Sequence, residues 1–214
     1  MATENPTDPR IASLQEKGMA RRSKAGRLEV VIGPMYAEKS TALMLDGIRK
    51  SRRGVNVLVL QHSINTRDSG LDGIVTHHGG KLLKGEHVDY VRLAEAPQFS
   101  ADVYGKYGAF LVEEGQFWPT EIVQFCMDAA DAGIHVTVAA LSGDKGQAPW
   151  PTVSALVAKA DSVRHLLAEC VFCLAPAPFT ICTEDFKETV RPGSTPYIPV
   201  CRECLSIWRK LNDN

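Results

Sequence analysis

The sequence lacks an excess of charge of either sign. Of its 214 residues, 24 are Lys or Arg and 25 are Asp or Glu, which gives a formal net charge of −1. A protein whose main task is to grip nucleic acid needs a surplus of basic residues on its binding face. We therefore expect small-molecule ligands and no nucleic-acid partner.

Long apolar runs are also missing. No stretch reaches the roughly 18 consecutive apolar residues of a membrane-spanning helix, so we expect no membrane partner. Segment 1–26 has no apolar core of signal-peptide length and contains Glu4, Asp8 and Glu16. We interpret this segment as a flexible N-terminal extension, and we expect a reducing, cytoplasmic setting for the chain.

From residue 27 onward, apolar runs alternate with segments of helical periodicity. Near-continuous aliphatic runs are typical of strands that are buried on both faces of a parallel sheet. Strands are predicted at 28–32, 55–60, 110–112, 134–141 and 162–168, and helices at 42–53, 119–132 and 151–160. Residues 63–86 have no clear period and are predicted to form a long functional loop. The alternation indicates an α/β fold.

A phosphate-loop pattern lies between the first predicted strand and the first predicted helix. This context places backbone N–H groups and a helix N-terminus where they can face an anion. Lys39 would reach the β- and γ-phosphates, and Ser40 would bind Mg²⁺ through its hydroxyl. The loop comprises Gly33, Pro34, Met35, Tyr36, Ala37, Glu38, Lys39, Ser40 and Thr41.

Glu38 departs from the phosphate-loop pattern, which has a second glycine at this position. A carboxylate about 4 Å from a phosphate oxygen would repel it by roughly 4 kcal/mol at an effective dielectric constant near 20. Outward rotation of the side chain would reduce that repulsion. Alternatively, Glu38 could occupy the anion site at the helix N-terminus itself. A further alternative is an ordinary strand–turn–helix without nucleotide binding.

Two adjacent carboxylates, Glu113 and Glu114, follow the predicted strand 110–112. In α/β sheets, ligands bind at the carboxyl ends of the strands. One carboxylate could hold Mg²⁺ while the other accepts the proton of an attacking hydroxyl. Such a pair, taken alone, is more often a solvated turn, but a phosphate loop about 75 residues earlier favours the catalytic interpretation.

Four cysteines form two C-x-x-C pairs, Cys170 with Cys173 and Cys201 with Cys204, with 27 residues between the pairs. Four thiolates at this spacing favour a closed tetrahedral Zn²⁺ site with a structural role. Free thiols or two local redox pairs are the alternative. Two further cysteines lack a partner at this spacing and are interpreted as bystanders: Cys126 and Cys182.

With these motifs in this order, the chain resembles the type II, zinc-containing thymidine kinases. The resemblance covers about residues 28–205 and is carried by GPMYAEKST, EEGQFW at 113–118, VAAL at 138–141 and the two cysteine pairs, with Phe179, Thr180 and Tyr197 between them. It implies a RecA-like phosphate-loop domain with a mostly parallel sheet at 27–168. It also implies a four-cysteine zinc-ribbon or lasso module at 169–206, followed by a C-terminal tail at 207–214.

The resemblance implies transfer of the γ-phosphate of ATP to the 5′-hydroxyl of thymidine or deoxyuridine, in nucleotide salvage for DNA synthesis. It implies Mg²⁺ with ATP, a structural Zn²⁺ on the four paired cysteines, and a homotetramer. Glu114 matches the general base. ATP would contact the phosphate loop, Arg67, Glu113 and Gln116. The nucleoside would contact Met35, Phe117, Leu141, Lys145, Trp150, Phe179, Glu188, Val190, Pro192 and Tyr197.

Several positions differ from what this family resemblance implies. Glu38 replaces a glycine, Glu113 replaces an aspartate and Lys145 stands at the position of a pocket phenylalanine. The extra methylene of Glu113 moves its carboxylate by about 1 Å, which alters metal geometry. The segment after Thr180 has no arginine, and two prolines, Pro192 and Pro196, remove backbone donors. These changes leave a second hypothesis open: a catalytically impaired paralogue that acts as a structural or regulatory partner of an intact homologue.

Overall fold

The computed structural model describes residues 26–64, 73–75, 80–99, 101–184 and 196–212. Almost all of the predicted N-terminal extension lies outside these ranges. Four predicted binding residues also lie outside the described residues: Arg67, Glu188, Val190 and Pro192.

Six parallel strands form the central sheet. Its members are β1 (Arg27–Gly33), β2 (Val57–His62), β5 (Val88–Leu93), β6 (Ala109–Val112), β7 (His135–Leu141) and β8 (Ser162–His165), in the spatial order β5-β2-β6-β7-β1-β8. All neighbouring pairs run parallel. The inner strands are nearly continuous buried aliphatic runs, as a sheet covered on both faces requires. The structure thus confirms the predicted α/β class and parallel sheet.

Helices cover both faces of this sheet. They are α1 (Lys39–Ser51), α2 (Ala101–Lys106), α3 (Glu121–Asp131) and α4 (Pro151–Lys159). A further helix, α5 (Arg202–Asn212), packs instead with the segment that carries the paired cysteines. One apolar core lies between the sheet and α1, together with a small antiparallel hairpin of β3 (Gly73–Val75) and β4 (Lys81–Leu83). The core on the opposite face packs α3 and α4 against the sheet. Because α1 begins within the predicted phosphate loop, the sheet face that α1 covers is the one next to this loop.

The structure differs from the predicted elements in several places. Strand β5 and helix α2 are not among the predicted elements. The β3–β4 hairpin lies inside the predicted loop 63–86. The predicted strand 162–168 is two strands, because β8 ends at His165 and the next strand, β9 (Ala168–Glu169), pairs outside the main sheet. Thr120 stands at the start of α3 but makes no capping hydrogen bond with its side chain in the described structure. Gly133 follows α3 with a φ of 95°, a conformation that suits glycine.

The paired cysteines lie in two small hairpins and the last helix. β9 pairs with β10 (Pro176–Ala177), and β11 (Phe179–Cys182) pairs with β12 (Tyr197–Val200), both antiparallel. We call these four strands and α5 the cysteine module. Its apolar core includes Ala37 of the phosphate loop, so the module packs directly against that loop. Helix α5 continues through the predicted boundary at residue 206 to Asn212. None of the helices in the described ranges is long and apolar enough to cross a membrane.

Candidate active site

The phosphate loop connects the carboxyl end of β1 to the N-terminus of α1. A β-carbon on Gly33 would lie 2.6 Å from the carbonyl oxygen of Leu166, so only glycine fits at the start of the loop. Tyr36 and Glu38 both have left-handed backbones, with φ values of 66° and 61°. A left-handed conformation costs an ordinary residue about 1–2 kcal/mol. The phosphate-loop pattern has a glycine at this position, and glycine adopts a left-handed backbone without strain. Glu38 adopts the same backbone conformation although it carries a side chain.

Hydrogen bonds hold the loop in its curved path. The Lys39 Nζ donates to the Pro34 carbonyl at 2.6 Å, so the lysine folds back over the loop. The Ala37 N–H donates to the same carbonyl at 3.4 Å. The Met35 N–H donates to Thr180 Oγ1, in strand β11, at 2.9 Å. The loop is therefore fixed both by its own backbone and by the cysteine module.

The side chain of Glu38 is exposed. Within the described part of the chain, Glu38 makes no side-chain capping hydrogen bond to α1, although its backbone carbonyl accepts the N–H of Ala42 at 2.9 Å. The exposure of this side chain agrees with outward rotation, one of the roles that the sequence left open. Ser40 and Thr41 lie in the first turn of α1, where N–H groups have no intrahelical acceptor.

Glu113 and Glu114 lie at the carboxyl end of β6, with different surroundings. Glu113 is 3% exposed, and its Oε2 accepts a hydrogen bond from Gln61 Nε2 at 2.8 Å. Its carbonyl accepts the Trp118 indole N–H at 3.0 Å, which fixes the backbone. Glu114 has a left-handed backbone with a φ of 53° and starts a short 3₁₀ helix, Gly115–Phe117. The turn therefore separates the two carboxylates.

Gln116 connects Glu114 to strand β7. Its Nε2 donates to Glu114 Oε2 at 2.6 Å, and its Oε1 accepts the Leu141 N–H at 3.0 Å. A carboxylate that is held by a buried amide keeps one orientation, which suits a proton acceptor. The predicted residues Glu114, Gln116 and Leu141 are thus brought together.

The loop between β7 and α4 contacts the cysteine module through Gln147. The amide of Gln147 donates to the Lys145 carbonyl at 2.8 Å and to the Thr180 carbonyl at 3.2 Å. Its Oε1 accepts a hydrogen bond from Arg209 in α5. Because Thr180 also bonds Met35, these contacts place the predicted nucleoside residues Met35 and Lys145 around one strand.

The remaining predicted nucleoside residues have mixed surroundings. Phe179 lies under the guanidinium of Arg202, 4.9 Å from the ring centre, so it packs within the cysteine module. Tyr197 is 8% exposed in β12. The indole N–H of Trp150 is a buried donor without a hydrogen-bond acceptor in the described structure. Phe117 is half-buried in the 3₁₀ helix.

Sequence reasoning missed two residues that organise this site, Gln61 and Gln147, and it used Thr180 only as a motif residue of the family resemblance. Gln61 follows a run of aliphatic residues at a strand end, the same signal that identified Glu113. The side chains of Gln147 and Thr180 act between elements that are distant in sequence. Nothing in their local pattern points to that role.

The four paired cysteines lie in one cluster. Their sulfur atoms all lie within 4.8 Å of one another, with Cys173 3.6 Å from Cys201 and Cys204 3.7 Å from Cys173. Tetrahedral coordination with Zn–S bonds of about 2.3 Å requires S–S separations of about 3.8 Å. The cluster could therefore hold a metal ion such as zinc.

The close packing of the four thiols changes the pKa values of Cys170 and Cys204 in opposite directions. Burial raises the pKa of Cys170, but backbone N–H groups of Cys201, Phe172 and Cys173 stabilise its thiolate and lower the pKa to about 6. Hydrogen bonding to Cys201 raises the pKa of Cys204. Outside this cluster, Cys126 is fully buried in α3, and Cys182 lies half-exposed in β11.

Comparisons with known proteins agree with this architecture. A family model described as thymidine kinase matches residues 26–205. The chain is 33% identical to a thymidine kinase of Oryza sativa subsp. japonica, over 86% of this chain and 68% of that protein. It is 34% identical to the cytosolic thymidine kinase of Homo sapiens, over 84% and 73% of the two chains. A thymidine kinase of Choristoneura biennis entomopoxvirus is 29% identical, over 86% of this chain and 99% of its own length.

The family match spans the sheet, the phosphate loop, both carboxylates and all four clustered cysteines. It therefore includes these features in full and ends within α5, which continues to Asn212. On this ground, the chain belongs to the thymidine kinase family.

Proposed function

We propose that this chain transfers the γ-phosphate of ATP to the 5′-hydroxyl of thymidine, or of deoxyuridine. The observation that carries the proposal is the sheet order. Strands β1 and β6 both flank β7, so the phosphate loop and Glu114 lie at the same edge of the sheet, with one strand between them. Phosphate-binding and proton-accepting groups at one sheet edge are what an in-line phosphoryl transfer requires.

In this proposal, Lys39 and the loop N–H groups bind the β- and γ-phosphates of ATP. Ser40 and Glu113 are the oxygen donors toward the Mg²⁺ that accompanies the nucleotide. Glu114, held by Gln116 at 2.6 Å, accepts the proton of the 5′-hydroxyl. The hydroxyl oxygen forms a bond to the γ-phosphorus while the bond from that phosphorus to the bridging oxygen breaks, and ADP leaves.

The nucleoside would lie between the β7–α4 loop and strand β11. The unpaired indole N–H of Trp150 supports a ligand near this loop, because a buried donor without an acceptor costs about 1–3 kcal/mol. A carbonyl or hydroxyl oxygen of a nucleoside would remove that cost. Met35, Leu141 and Lys145 are the further pocket residues in this proposal.

Zinc is proposed as a structural ion on Cys170, Cys173, Cys201 and Cys204. These side chains supply four sulfur donors and leave no open coordination position, which fits a closed site better than a catalytic one. The ion would stabilise the module that packs on Ala37. A homotetramer and a cytoplasmic location remain proposals by family resemblance.

A second candidate function is that of a catalytically impaired family member that stabilises or regulates an intact homologue. The specific observation in its favour is Glu38, which places a negative charge in a left-handed position of the phosphate loop. Lys145 also favours this candidate, because the family resemblance implies a pocket phenylalanine at this position.

One experiment separates the two candidates. The zinc-loaded chain is incubated with Mg·ATP and thymidine, and thymidine monophosphate is quantified, with deoxycytidine as the comparison substrate. The proposed function predicts product from thymidine and little from deoxycytidine. No product from a folded, zinc-loaded chain that forms a stable complex with an active thymidine kinase would instead support the second candidate.

A further inference from the structure

A row of polar side chains crosses the edge of the sheet next to the predicted catalytic carboxylates. Gln61 is paired in register with Arg92 of strand β5 on one side. On the other side Leu60 pairs with Val112, so Gln61 lies beside Glu113. Residues in register on neighbouring strands present their side chains on the same face. Glu113, Gln61 and Arg92 therefore form one row over three adjacent strands.

Hydrogen bonds connect the row from end to end. Arg92 donates to Gln61 Oε1 from Nε at 3.0 Å and from Nη2 at 2.7 Å. The Tyr90 hydroxyl donates to the same oxygen. Gln61 Nε2 in turn donates to Glu113 Oε2 at 2.8 Å. The row thus begins at a half-buried guanidinium and ends at a buried carboxylate.

The donors fix the orientation of the Gln61 amide. Arg92 can only donate, so the amide oxygen must face it, and the NH₂ group must face Glu113. An NH₂ group needs an acceptor, and the Oε2 atom of Glu113 provides one. Gln61 is fully buried, so no water competes for either end of the amide. These hydrogen bonds, which we call the relay of Arg92, Gln61 and Glu113, therefore favour one rotamer of the Glu113 side chain.

We propose that Gln61 and Arg92 are positioning residues that aim Glu113 at the metal ion of Mg·ATP, an inference that rests on the proposed function. The relay accommodates the longer side chain of glutamate by holding one carboxylate oxygen through Gln61. In this proposal, the second oxygen of Glu113 is the one that would bind the metal ion of the nucleotide. Outer partners of this kind change metal affinity or activity by about 10- to 100-fold when they are removed.

The test measures ATP binding with and without Mg²⁺ by calorimetry, on the full-length zinc-loaded chain and without chelator. Arg92→Met removes the half-buried end of the relay. It should weaken Mg·ATP binding about 10-fold and leave the binding of metal-free ATP unchanged. Arg92→Lys, which keeps a donor, should give an intermediate value. Gln61→Leu should match Arg92→Met if it folds.

Lys106→Met is the matched control. Lys106 lies in α2 and donates to Asp89, a residue of strand β5, at 3.0 Å. Lys106→Met therefore also removes a cation that contacts β5, but it changes no contact of Gln61. It should leave the Mg²⁺ preference of ATP binding as in the unmodified chain.

Three results would overturn the proposal. One is an unchanged Mg²⁺ preference in a folded Arg92→Met chain. Another is an equal loss of ATP binding with and without Mg²⁺, which would indicate a merely structural role. The third is an unmodified chain without any Mg²⁺ preference. If the preference is present and depends on Arg92, but no thymidine monophosphate forms, the relay is supported while the proposed function fails.

Discussion

The backbone N–H of Met35 donates a hydrogen bond of 2.9 Å to the hydroxyl of Thr180, 145 residues later in the chain. This bond joins the phosphate loop to strand β11 of the cysteine module. The Thr180 carbonyl also accepts the amide of Gln147, from the loop after β7. Thr180 thus contacts the phosphate loop and the β7–α4 loop from within the cysteine module. Changes in the module should therefore affect ATP binding at the proposed nucleotide site.

Thr180→Val tests this connection, because it removes the hydroxyl at nearly constant volume. Loss of one hydrogen bond should lower the free energy of unfolding by about 1 kcal/mol. The KM for Mg·ATP should rise several-fold, because the loop loses its outer anchor. Steady-state kinetics and urea denaturation measure the two effects.

Thr183→Val is the matched control for that change. Its hydroxyl donates to the Pro196 carbonyl at 3.1 Å, in the described part of the chain next to β11. It should cost a similar unfolding free energy and leave the KM for Mg·ATP unchanged. Equal effects of both variants on KM would contradict a specific role for the contact between Thr180 and Met35.

Substitutions at Glu38 separate its charge from its backbone conformation. Glu38→Gln keeps the left-handed strain but removes the negative charge, so the KM for Mg·ATP should fall several-fold, equivalent to about 1 kcal/mol at an exposed position. Glu38→Gly should lower the KM equally. It should also raise the unfolding free energy by about 1 kcal/mol, because glycine accepts a φ of 61°.

Tyr36→Gly provides the comparison for strain alone. Tyr36 is exposed and has a φ of 66° in the same loop, but it is neutral. This variant should raise stability without lowering the KM for Mg·ATP. If neither Glu38 variant changes nucleotide affinity, the carboxylate is not what limits ATP binding.

Metal analysis tests the role of the cysteine cluster. One zinc ion per chain is expected, and Cys173→Ser should abolish it and destabilise the module by several kcal/mol. Because the module core includes Ala37, loss of zinc should also weaken ATP binding. Cys182→Ser, outside the cluster, should keep full zinc content. A zinc-free Cys182→Ser chain would contradict the assignment of the four ligands.

Cys126 gives a prediction about pH. Burial raises the pKa of this thiol well above its ordinary value of 9.0. Above pH 9 the unfolded chain releases the Cys126 proton while the folded chain keeps it, so the unfolding free energy falls with rising pH. The thiol adds a slope of up to about 1.4 kcal/mol per pH unit. Urea denaturation between pH 8 and 10 should show this slope, and Cys126→Ala should lose it; equal slopes would contradict the prediction.

The sequence was most informative where burial is nearly complete. Strands β1, β6 and β7 are aliphatic because both faces are covered, so composition alone locates them. The cysteine cluster was predictable from spacing, since a C-x-x-C pair brings two sulfurs together locally. Strand β5 was missed because it lies at the sheet edge, where polar and apolar residues alternate.

The relay to Glu113 could not be predicted from the sequence. It depends on the register of three strands, and Gln61 and Arg92 are 31 residues apart. The contact of Thr180 with Met35 likewise depends on how the cysteine module docks. Local periodicity contains no information about either arrangement, because both result from tertiary packing.

Single-turnover kinetics with excess zinc-loaded chain, Mg·ATP and labelled thymidine test the central claim most directly. The account predicts formation of thymidine monophosphate by the unmodified chain. It predicts a loss of at least about 100-fold in rate for Glu114→Gln, since a positioned proton acceptor contributes that much. Glu121→Gln, an exposed change at the start of α3, should retain the full rate. An unchanged rate for Glu114→Gln, or no product from the unmodified chain, would contradict the account.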